Sequence, residues 1–296
     1  MVGGIKVLQQ RETTKVNVLG FICHSESSSD PFRIDRDGHP YLPTGDGGIV
    51  LNYLVGESVF ALDADHAAPG VSLSHPNQDA AYSLVAQSCI GNLAKVRTGE
   101  AAGSQGVVLG KRGEGGRVIV IFKDDVMKKL KPDDQITITT EGQGQKQDGM
   151  ETCVLNIATP LLNDLKLKVE NEKKFRIPVR TIFDSRLVGN GIGRPMPLWD
   201  VDLQIYELPV GVSALKIGDL VAISNLDARY NSGYRKDWIS VGVLIHGSSP
   251  QPGHGPGVTI FLSGPAHEIE ILEDPMNHVG LTLDSLFSCN KKLDMN

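Results

Sequence analysis

Short runs rich in valine and isoleucine recur along the chain, and glycine, proline, asparagine or aspartate bounds most of them. Such runs are typical of β-strands, because β-branched side chains pack well on a pleated surface. Asp37-Gly38 inside one run is a strong signal for a two-residue hairpin turn. The pattern predicts strands at residues 15–23, 33–42, 48–55, 58–62, 92–98, 106–111, 117–122, 135–140, 176–183, 199–206, 220–225, 239–246 and 258–264.

Helix signals are short and few. Residues 80–87 and 160–166 have helical character, and Asp124 and Asp125 suit the start of a helix that Pro132 ends. The chain is therefore predicted to be mainly β, with multi-stranded barrel or sandwich layers and a few short helices.

The segment Glu141–Thr152 is polar and rich in glycine and glutamine, which is typical of a linker. A linker there divides the chain into a β-rich N-terminal half, residues 1–145, and a β-rich C-terminal half, residues 146–296. The segment is equally compatible with an ordered loop of one continuous fold, since all-β domains of more than about 200 residues are common.

The chain has 296 residues and a formal net charge of −6. Nucleic-acid binding depends on clustered lysine and arginine, so this charge favours small molecules or proteins as partners over nucleic acid. The apolar segment 16–23 is too short to span a membrane and lacks the flanks of a signal peptide, which predicts a cytoplasmic protein without a membrane partner. The four cysteines have no metal-type or redox-type spacing and are predicted to be buried, reduced thiols.

Basic residues are interleaved with glycine between residues 97 and 122: Arg97, Lys111, Arg112 and Arg117. Small barrels of some RNA-associated proteins have a similar Gly-Lys pattern, but this segment lacks the aromatic platforms that stack on bases. We interpret it as a hairpin whose basic turns are solvated.

The segment 253–257 is Gly-His-Gly-Pro-Gly and lies between two apolar runs. Pro256 fixes its own φ, and glycines adopt backbone angles closed to other residues, so we expect His254 on a bent backbone that a ligand or metal can approach closely. We also expect Gly255 and Gly257 to have conformations or close contacts that a Cβ atom would disturb. A tight surface turn with an incidental histidine is the alternative.

Asp200 and Asp202 alternate along a predicted strand, so both carboxylates lie on one face. Buried there, they need a cation, an arginine or a shared proton, whereas solvated they need none. Asp65 and His66 supply the carboxylate and imidazole mix of zinc, manganese or iron sites if the chain bends. Otherwise Asp65 caps a turn and His66 bonds to the backbone.

A glycine-rich segment, residues 189–193, precedes the paired aspartates and has the composition of a backbone nest that binds an anion. Its expected ligand-binding residues are Gly189, Gly191, Gly193 and the adjacent Arg194. The segment matches neither a P-loop nor a dinucleotide-binding fingerprint, so no nucleotide cofactor is indicated.

Asp46 lies between glycines after the predicted hairpin. It is either a plain turn residue or an additional ligand-binding carboxylate. His246 ends an apolar run before a glycine, a position more typical of a strand end than of a site. We expect His246 to act at most behind His254, as a supporting residue.

Five segments carry a family resemblance: residues 42–60, 63–75, 89–113, 185–206 and 241–264. They include Asp-His-x-x-Pro-Gly-Val-Ser and Gly-His-Gly-Pro-Gly, and they resemble an uncharacterised prokaryotic family, the domain of unknown function 4438. The resemblance covers roughly residues 15–265 in the same order. It implies a mostly β protein of unknown activity.

Together these clusters lead to the hypothesis of a small-molecule hydrolase or lyase with a divalent zinc, manganese or magnesium ion. Its metal ligands would come from Asp65, His66 and Asp200, and its catalytic residues would be His254 and Asp202. We expect His254 to share one pocket with at least one of the other four. The alternative is a non-catalytic binding or assembly module, in which these residues shape a ligand pocket or the subunit interface of a homo-oligomer.

Overall fold

The computed structural model describes residues 13–25, 32–113, 115–146, 149–165, 168–170 and 174–291. Strands dominate these residues, which confirms the predicted mainly β fold. The strands are β1 (Val16–Ile22), β2 (Arg33–Ile34), β3 (Pro40–Tyr41), β4 (Ile49–Val50), β5 (Gly70–Ser74), β6 (Leu93–Val96), β7 (Gln105–Arg112), β8 (Arg117–Ile121), β9 (Gln135–Thr140), β10 (Gln145–Lys146), β11 (Cys153–Val154), β12 (Lys168–Glu170), β13 (Lys174–Val179), β14 (Thr181–Asp184), β15 (Val201–Asp202), β16 (Leu220–Asp227), β17 (Gly233–His246), β18 (Gly257–Pro265) and β19 (Ile269–Glu273). The α-helices are α1 (Gln78–Gln87), α2 (Asp124–Met127), α3 (Thr159–Asp164) and α4 (Leu283–Lys291).

The N-terminal strands form a closed barrel. Its antiparallel order is β1-β9-β6-β7-β8-β5, and β5 pairs back onto β1, so every strand of the barrel has two neighbours. β4 pairs with β5 beyond the end of β1. Aliphatic side chains such as Val18, Leu73 and Ile136 fill the interior, and Leu84 of α1 packs against them. Closure removes the free strand edges that an open sheet would expose.

The C-terminal strands form two further sheets. The larger has the order β10-β11-β18-β17-β16-β14, with β15 added to β18, and the long hairpin of β17 and β18 is its centre. The smaller sheet is β12-β13-β19. Parallel pairing occurs between β13 and β19 and between β14 and β16.

The larger sheet packs on the outside of the barrel at β7 and β8. Val108 and Val120 belong to the barrel interior, whereas Leu109 and Ile119 belong to a second core shared with the larger sheet. A Cβ atom on Gly110 would lie 2.5 Å from Ile245 and 2.7 Å from Thr259, so the two layers touch at this glycine. Strands buried on both faces have continuous apolar runs, as these two strands do.

The structure describes residues 141–146 and 149–152 of the segment proposed as a linker, and residues 147 and 148 lie outside the described residues. Gln145 is buried in β10, and the Nε2 atom of Gln143 donates to Asn156 at 2.9 Å. The core on the outside of the barrel contains residues of both predicted halves, from Tyr53 to Cys289. Apolar packing therefore crosses the boundary expected after residue 145.

Some elements differ from the sequence prediction. The three predicted helices occur as α1, α2 and α3, but residues 58–62 form a loop, and β5 and α4 were not predicted. Leu286 and Cys289 of α4 are buried. Their three-residue spacing puts both side chains on one helix face, which packs near α3 and β7. Residues 292–296 lie outside the described part of the chain. None of the described helices is long and apolar enough to span a membrane.

Candidate functional site

Histidine and aspartate side chains cluster at the end of the β17–β18 hairpin, beside the barrel. His246 ends β17, and the loop that carries His254 joins it to β18. Asp202 lies in β15, where it pairs with Gly257 of β18. His66 comes from the long loop between β4 and β5. The five side chains are all buried and form the histidine–aspartate centre: His66, Asp200, Asp202, His246 and His254.

Three potential ligand atoms converge at a position that we call site A: His66 Nε2, His254 Nδ1 and Asp202 Oδ2. The two ring nitrogens lie 3.0 Å apart. Asp202 Oδ2 lies 3.0 Å from His254 Nδ1 and 3.3 Å from His66 Nε2. Neighbouring ligand atoms are about 3.4 Å apart around a tetrahedral zinc ion and about 3.0 Å apart in an octahedral shell. The spacing at site A fits a divalent cation.

A second group of potential ligands, site B, consists of Asp200, Asp202 and His246. His246 Nε2 lies 3.1 Å from Asp200 Oδ2 and 3.6 Å from Asp202 Oδ1. The other ring nitrogen, Nδ1, lies 2.9 Å from the carbonyl oxygen of Gly247. A carbonyl oxygen only accepts hydrogen bonds, so Nδ1 carries a proton and Nε2 is the ring atom directed at the two carboxylates.

His66 is held in an uncommon backbone conformation with a positive φ of 53°. Its main-chain N–H donates to the carbonyl oxygen of Ser248 at 3.1 Å. Asp65 Oδ1 lies 2.5 Å from His66 Nδ1, although the contact is poorly aligned for N–H donation. The structure thus places Asp65 behind the ring, on the side opposite site A, where a carboxylate orients a metal-binding histidine.

Neighbours on the other side hold Asp65 in place. Arg33 Nη1 donates to Oδ2 at 2.9 Å, the Tyr41 hydroxyl donates to Oδ2 at 3.1 Å, and the Ser249 hydroxyl donates to Oδ1 at 2.7 Å. Burial would raise the pKa of Asp65, but His66, Ser249 and Arg33 hold it well below its usual value. Neither alternative from the sequence describes Asp65, because it neither caps a turn nor converges on site A.

Asp46 is neutralised by arginines beside the same centre. Its Oδ1 accepts hydrogen bonds from Arg112 Nη1 and, at 2.6 Å, from Arg117 Nη1. The prediction of solvated basic turns is wrong here, because these arginines are only 2% and 4% exposed. The solvated interpretation holds for Arg97, which is exposed. Asp46 therefore serves as a partner for buried arginines, which leaves little freedom for the predicted ligand contact.

Lys111 is also buried, in contrast to the sequence interpretation. Its Nζ atom donates to the carbonyl oxygens of Val85, near the C-terminus of α1, and Pro197, both at 2.8 Å. Burial lowers the pKa of Lys111 to about 8. A cation is favourable at a helix C-terminus, where the carbonyl groups lack helical partners.

The glycine-rich segment supports the centre through its backbone. The N–H groups of Gly189 and Gly193 donate to the carbonyl oxygens of Asp202 and Ser232, each within 3.0 Å, and that of Arg194 donates to Gly191 at 3.1 Å. These amides already have acceptors, which argues against the predicted anion nest. A Cβ atom on Gly191, whose φ is +96°, would lie 2.2 Å from the carbonyl oxygen of Asp200. The Arg194 guanidinium lies over the ring of Trp199 at 4.7 Å.

The glycines of the His254 loop are required by close contacts, which confirms that part of the prediction. A Cβ atom on Gly257 would lie 2.0 Å from His246 Nε2, and one on Gly255 would lie 1.7 Å from the carbonyl oxygen of Leu203. The positive φ within this loop is at Gly253, at +83°, where a Cβ atom would meet open space. Close approach, rather than backbone angle, therefore explains Gly255 and Gly257.

Histidines and aspartates of the centre shift each other's pKa values. Burial alone would raise the pKa of Asp202, but hydrogen bonds with His246, His254 and His66 outweigh it and hold that pKa well below its usual value. Burial alone would lower the pKa of His246, but Asp200 and Asp202 raise it to about 9. Opposing burial in the same way, Asp202 and Asp65 raise the pKa of His66. The carboxylates thus favour positive charge between them, supplied by protons or by a metal ion.

Four of the five residues of the centre were predicted from the sequence as site residues, whereas His246 was expected to be at most a supporting residue. Its signal was ambiguous, because a histidine that ends an apolar strand before a glycine is compatible with a plain strand end. The register decides the matter, since β17 pairs His246 with Gly257 and so directs the ring toward Asp200. The hydrogen bond from Gly113 N to Asp200 Oδ1, at 3.0 Å, also depends on the tertiary packing.

The fold and the centre define a mainly β protein with buried histidine and carboxylate groups that could hold a metal ion. The chain belongs to the family of the domain of unknown function DUF4438: the N-terminal domain of the family matches residues 32–163 and the C-terminal domain matches residues 164–283. The predicted resemblance is therefore confirmed. The fold is similar to the crystal structure of TM1086, which is 33% identical, with a TM-score of 0.85 over 90% of this chain and 95% of that chain. No curated protein matches the chain.

Proposed function

We propose that the protein is a metal-dependent hydrolase or lyase of a small molecule, with a divalent cation bound at site A. The observation that carries this proposal is the convergence of His66 Nε2, His254 Nδ1 and Asp202 Oδ2 within 3.3 Å of one another. Imidazole and carboxylate together suit zinc or manganese better than magnesium, which prefers oxygen ligands. A divalent cation there would polarise a carbonyl or phosphoryl oxygen and lower the pKa of water.

The residues around site A would have different roles. His66, His254 and Asp202 would hold the cation, and Asp65, on the side of the His66 ring opposite site A, would orient that ring. The His254 side chain is 10% exposed, against 1% for His66 and 2% for Asp202, so His254 lies on the side nearest to solvent. That position would let substrate or water approach the cation from the side of His254.

A cleft of about 390 Å³ lies next to the segment that carries Asp65 and His66, although no residue of the centre lines it. Its lining includes Asp63, Tyr206 and Ser249. Ser249 also donates to Asp65, the carboxylate behind His66. Pockets of about 300–1,000 Å³ accommodate small ligands.

The test is to measure metal content in the purified protein, and then turnover of amide, lactone and phosphoester substrates with and without a chelator. We expect a bound zinc or manganese ion and an activity that chelation abolishes. Asp202→Asn should lose both, whereas Asp79→Asn, which alters an exposed carboxylate in α1, should retain both. Unchanged activity in Asp202→Asn or after chelation would contradict the proposal.

A non-catalytic module is the second candidate, and the enclosure of the centre favours it. Four of the five side chains are at most 4% exposed, and structural metal sites are closed whereas catalytic sites keep an open position. This candidate predicts a metal that stabilises the fold without turnover of any substrate class. As an assembly module, the protein would also lose its oligomeric state on chelation, which light scattering after size-exclusion chromatography would detect.

A further inference from the structure

Site A and site B share Asp202, and they use different oxygens of it. Asp202 Oδ2 faces His254 Nδ1 and His66 Nε2, at 3.0 and 3.3 Å. Asp202 Oδ1 faces His246 Nε2 at 3.6 Å. The rings of His66 and His246 are also neighbours, with centroids 5.2 Å apart. One carboxylate therefore lies between two adjacent groups of ligand atoms.

Site B has the same need for a cation as site A. Because His246 Nδ1 donates to the Gly247 carbonyl, a neutral His246 ring directs the Nε2 lone pair at Asp200 and Asp202. Three acceptors facing one another in a buried space repel unless a proton or a metal ion lies among them. Asp200 has one oxygen left for this role, since Oδ1 already accepts from Gly113 N.

The charge of Arg112 acts on Asp200 and Asp202, but Arg112 also pairs with Asp46, so the three carboxylates outnumber this arginine. Arg112 and Arg117 pair with Asp46, and Arg33 pairs with Asp65 at 2.9 Å. Asp202 Oδ2 lies within hydrogen-bond distance of His66 and His254. Asp200 Oδ2 lies 3.1 Å from His246 Nε2, and Asp200 Oδ1 accepts from Gly113 N.

We propose that the centre binds two divalent cations, one at site A and one at site B, bridged by the carboxylate of Asp202. This inference rests on the proposed function for site A and adds a second metal position with its own ligands, Asp200 and His246. Paired cations in enzymes lie about 3.5–4 Å apart and are typical of hydrolytic sites, where they stabilise the attacking and the leaving oxygen together. A carboxylate that presents one oxygen to each position is the bridge that such a pair requires.

The experiment is reconstitution of the chelated full-length protein with manganese(II), followed by measurement of bound manganese per chain and of its electron paramagnetic resonance spectrum. We expect two ions per chain and the spectrum of a spin-coupled pair. One ion per chain would overturn the bridged pair and leave the proposed function in place. Two ions with the spectrum of isolated manganese would also overturn it. No bound ion would contradict the proposed function as well.

Substitutions that remove one ligand test which residues bind the ion at site A and which bind the ion at site B. Asp200→Asn should reduce the content to one ion per chain and abolish the coupling, because it changes site B alone. His254→Gln should do the same by changing site A alone. Asp79→Asn should retain two coupled ions. Far-ultraviolet circular dichroism checks the fold of each variant. The wild-type stoichiometry decides the proposal even where a variant fails to fold, and two coupled ions in Asp200→Asn would overturn the assignment of site B.

Discussion

The barrel interior and the histidine–aspartate centre are both buried, and the hairpin of β7 and β8 contributes to both regions. Inside the barrel, Val108 and Val120 pack against other aliphatic side chains. At the end of the same hairpin, Arg112 and Arg117 are almost as buried and meet Asp46. Burial of an apolar group is favourable in itself, whereas burial of a charge is tolerated only while its partner stays in place. The two regions should therefore respond differently to substitutions that keep side-chain volume.

Methionine in place of Arg112 or of Leu73 should give the largest difference in stability between the two regions. Arg112→Met leaves the buried carboxylate of Asp46 with one arginine fewer, and we expect a loss of about 3–5 kcal/mol in the free energy of unfolding. Leu73→Met in the barrel should cost less than about 1.5 kcal/mol, because it conserves volume and polarity. Urea unfolding measures both. Arg97→Met, at an exposed position, is the control and should stay within about 0.5 kcal/mol. Equal losses at Arg112 and Leu73 would remove the distinction between the regions.

Lys111, a buried lysine in β7, should make the free energy of unfolding depend on pH, whereas the apolar side chains of the barrel should not. The folded-state pKa of Lys111 is about 8 and its ordinary value is 10.5, so unfolding takes up a proton between these pH values. Stability from this group should therefore rise with pH across that window, by up to about 3 kcal/mol at about 1.36 kcal/mol per pH unit. Lys111→Met should lack the rise. Denaturant unfolding of both proteins at several pH values measures the difference, and parallel profiles would contradict a depressed pKa.

Metal binding at the centre should stabilise the folded protein, and a substitution in the barrel should not change the size of this gain. An ion that binds only the folded state, at a hundredfold excess over its dissociation constant, adds about 2.7 kcal/mol. We expect zinc or manganese to raise the melting temperature of the chelated protein, and Asp202→Asn to lose most of this gain. Leu73→Met should keep the full gain. If no divalent ion stabilises the wild-type protein, protonated histidines rather than a metal ion neutralise the carboxylates of the centre.

Two glycines of one loop provide the smallest and most local comparison. Gly257→Ala places a Cβ atom against His246 and should cost about 1–3 kcal/mol, together with weaker metal binding. Gly253→Ala meets open space but keeps a positive φ, so it should cost about 1 kcal/mol and leave metal binding unchanged. Thermal unfolding and metal titration separate the two effects. Comparable metal affinities in both variants would show that the contact with His246 does not position the ring.

Much of the fold could be predicted from the sequence, because strand signals are local. The apolar runs at β7, β8, β16, β17 and β18 are long, and each is bounded by turn residues. β5 was missed because Gly70–Ser74 is short and contains serine, and its place in the barrel depends on pairing with β1 and β8. β15 was predicted at eight residues and forms two, Val201 and Asp202, which pair with Val258 and Gly257 of β18.

Alternation and glycine context are local properties, so carboxylates and histidines with unusual neighbours can be recognised from the sequence at His66, Asp200, Asp202 and His254. That these groups meet, that His246 joins them and that Asp65 lies behind His66 depends on long-range packing. Burial of a charge requires a partner, and a distant segment supplies it. Arg112 is buried because the larger sheet packs over the end of the barrel hairpin and Asp46 neutralises it, and neither fact is encoded within the hairpin itself.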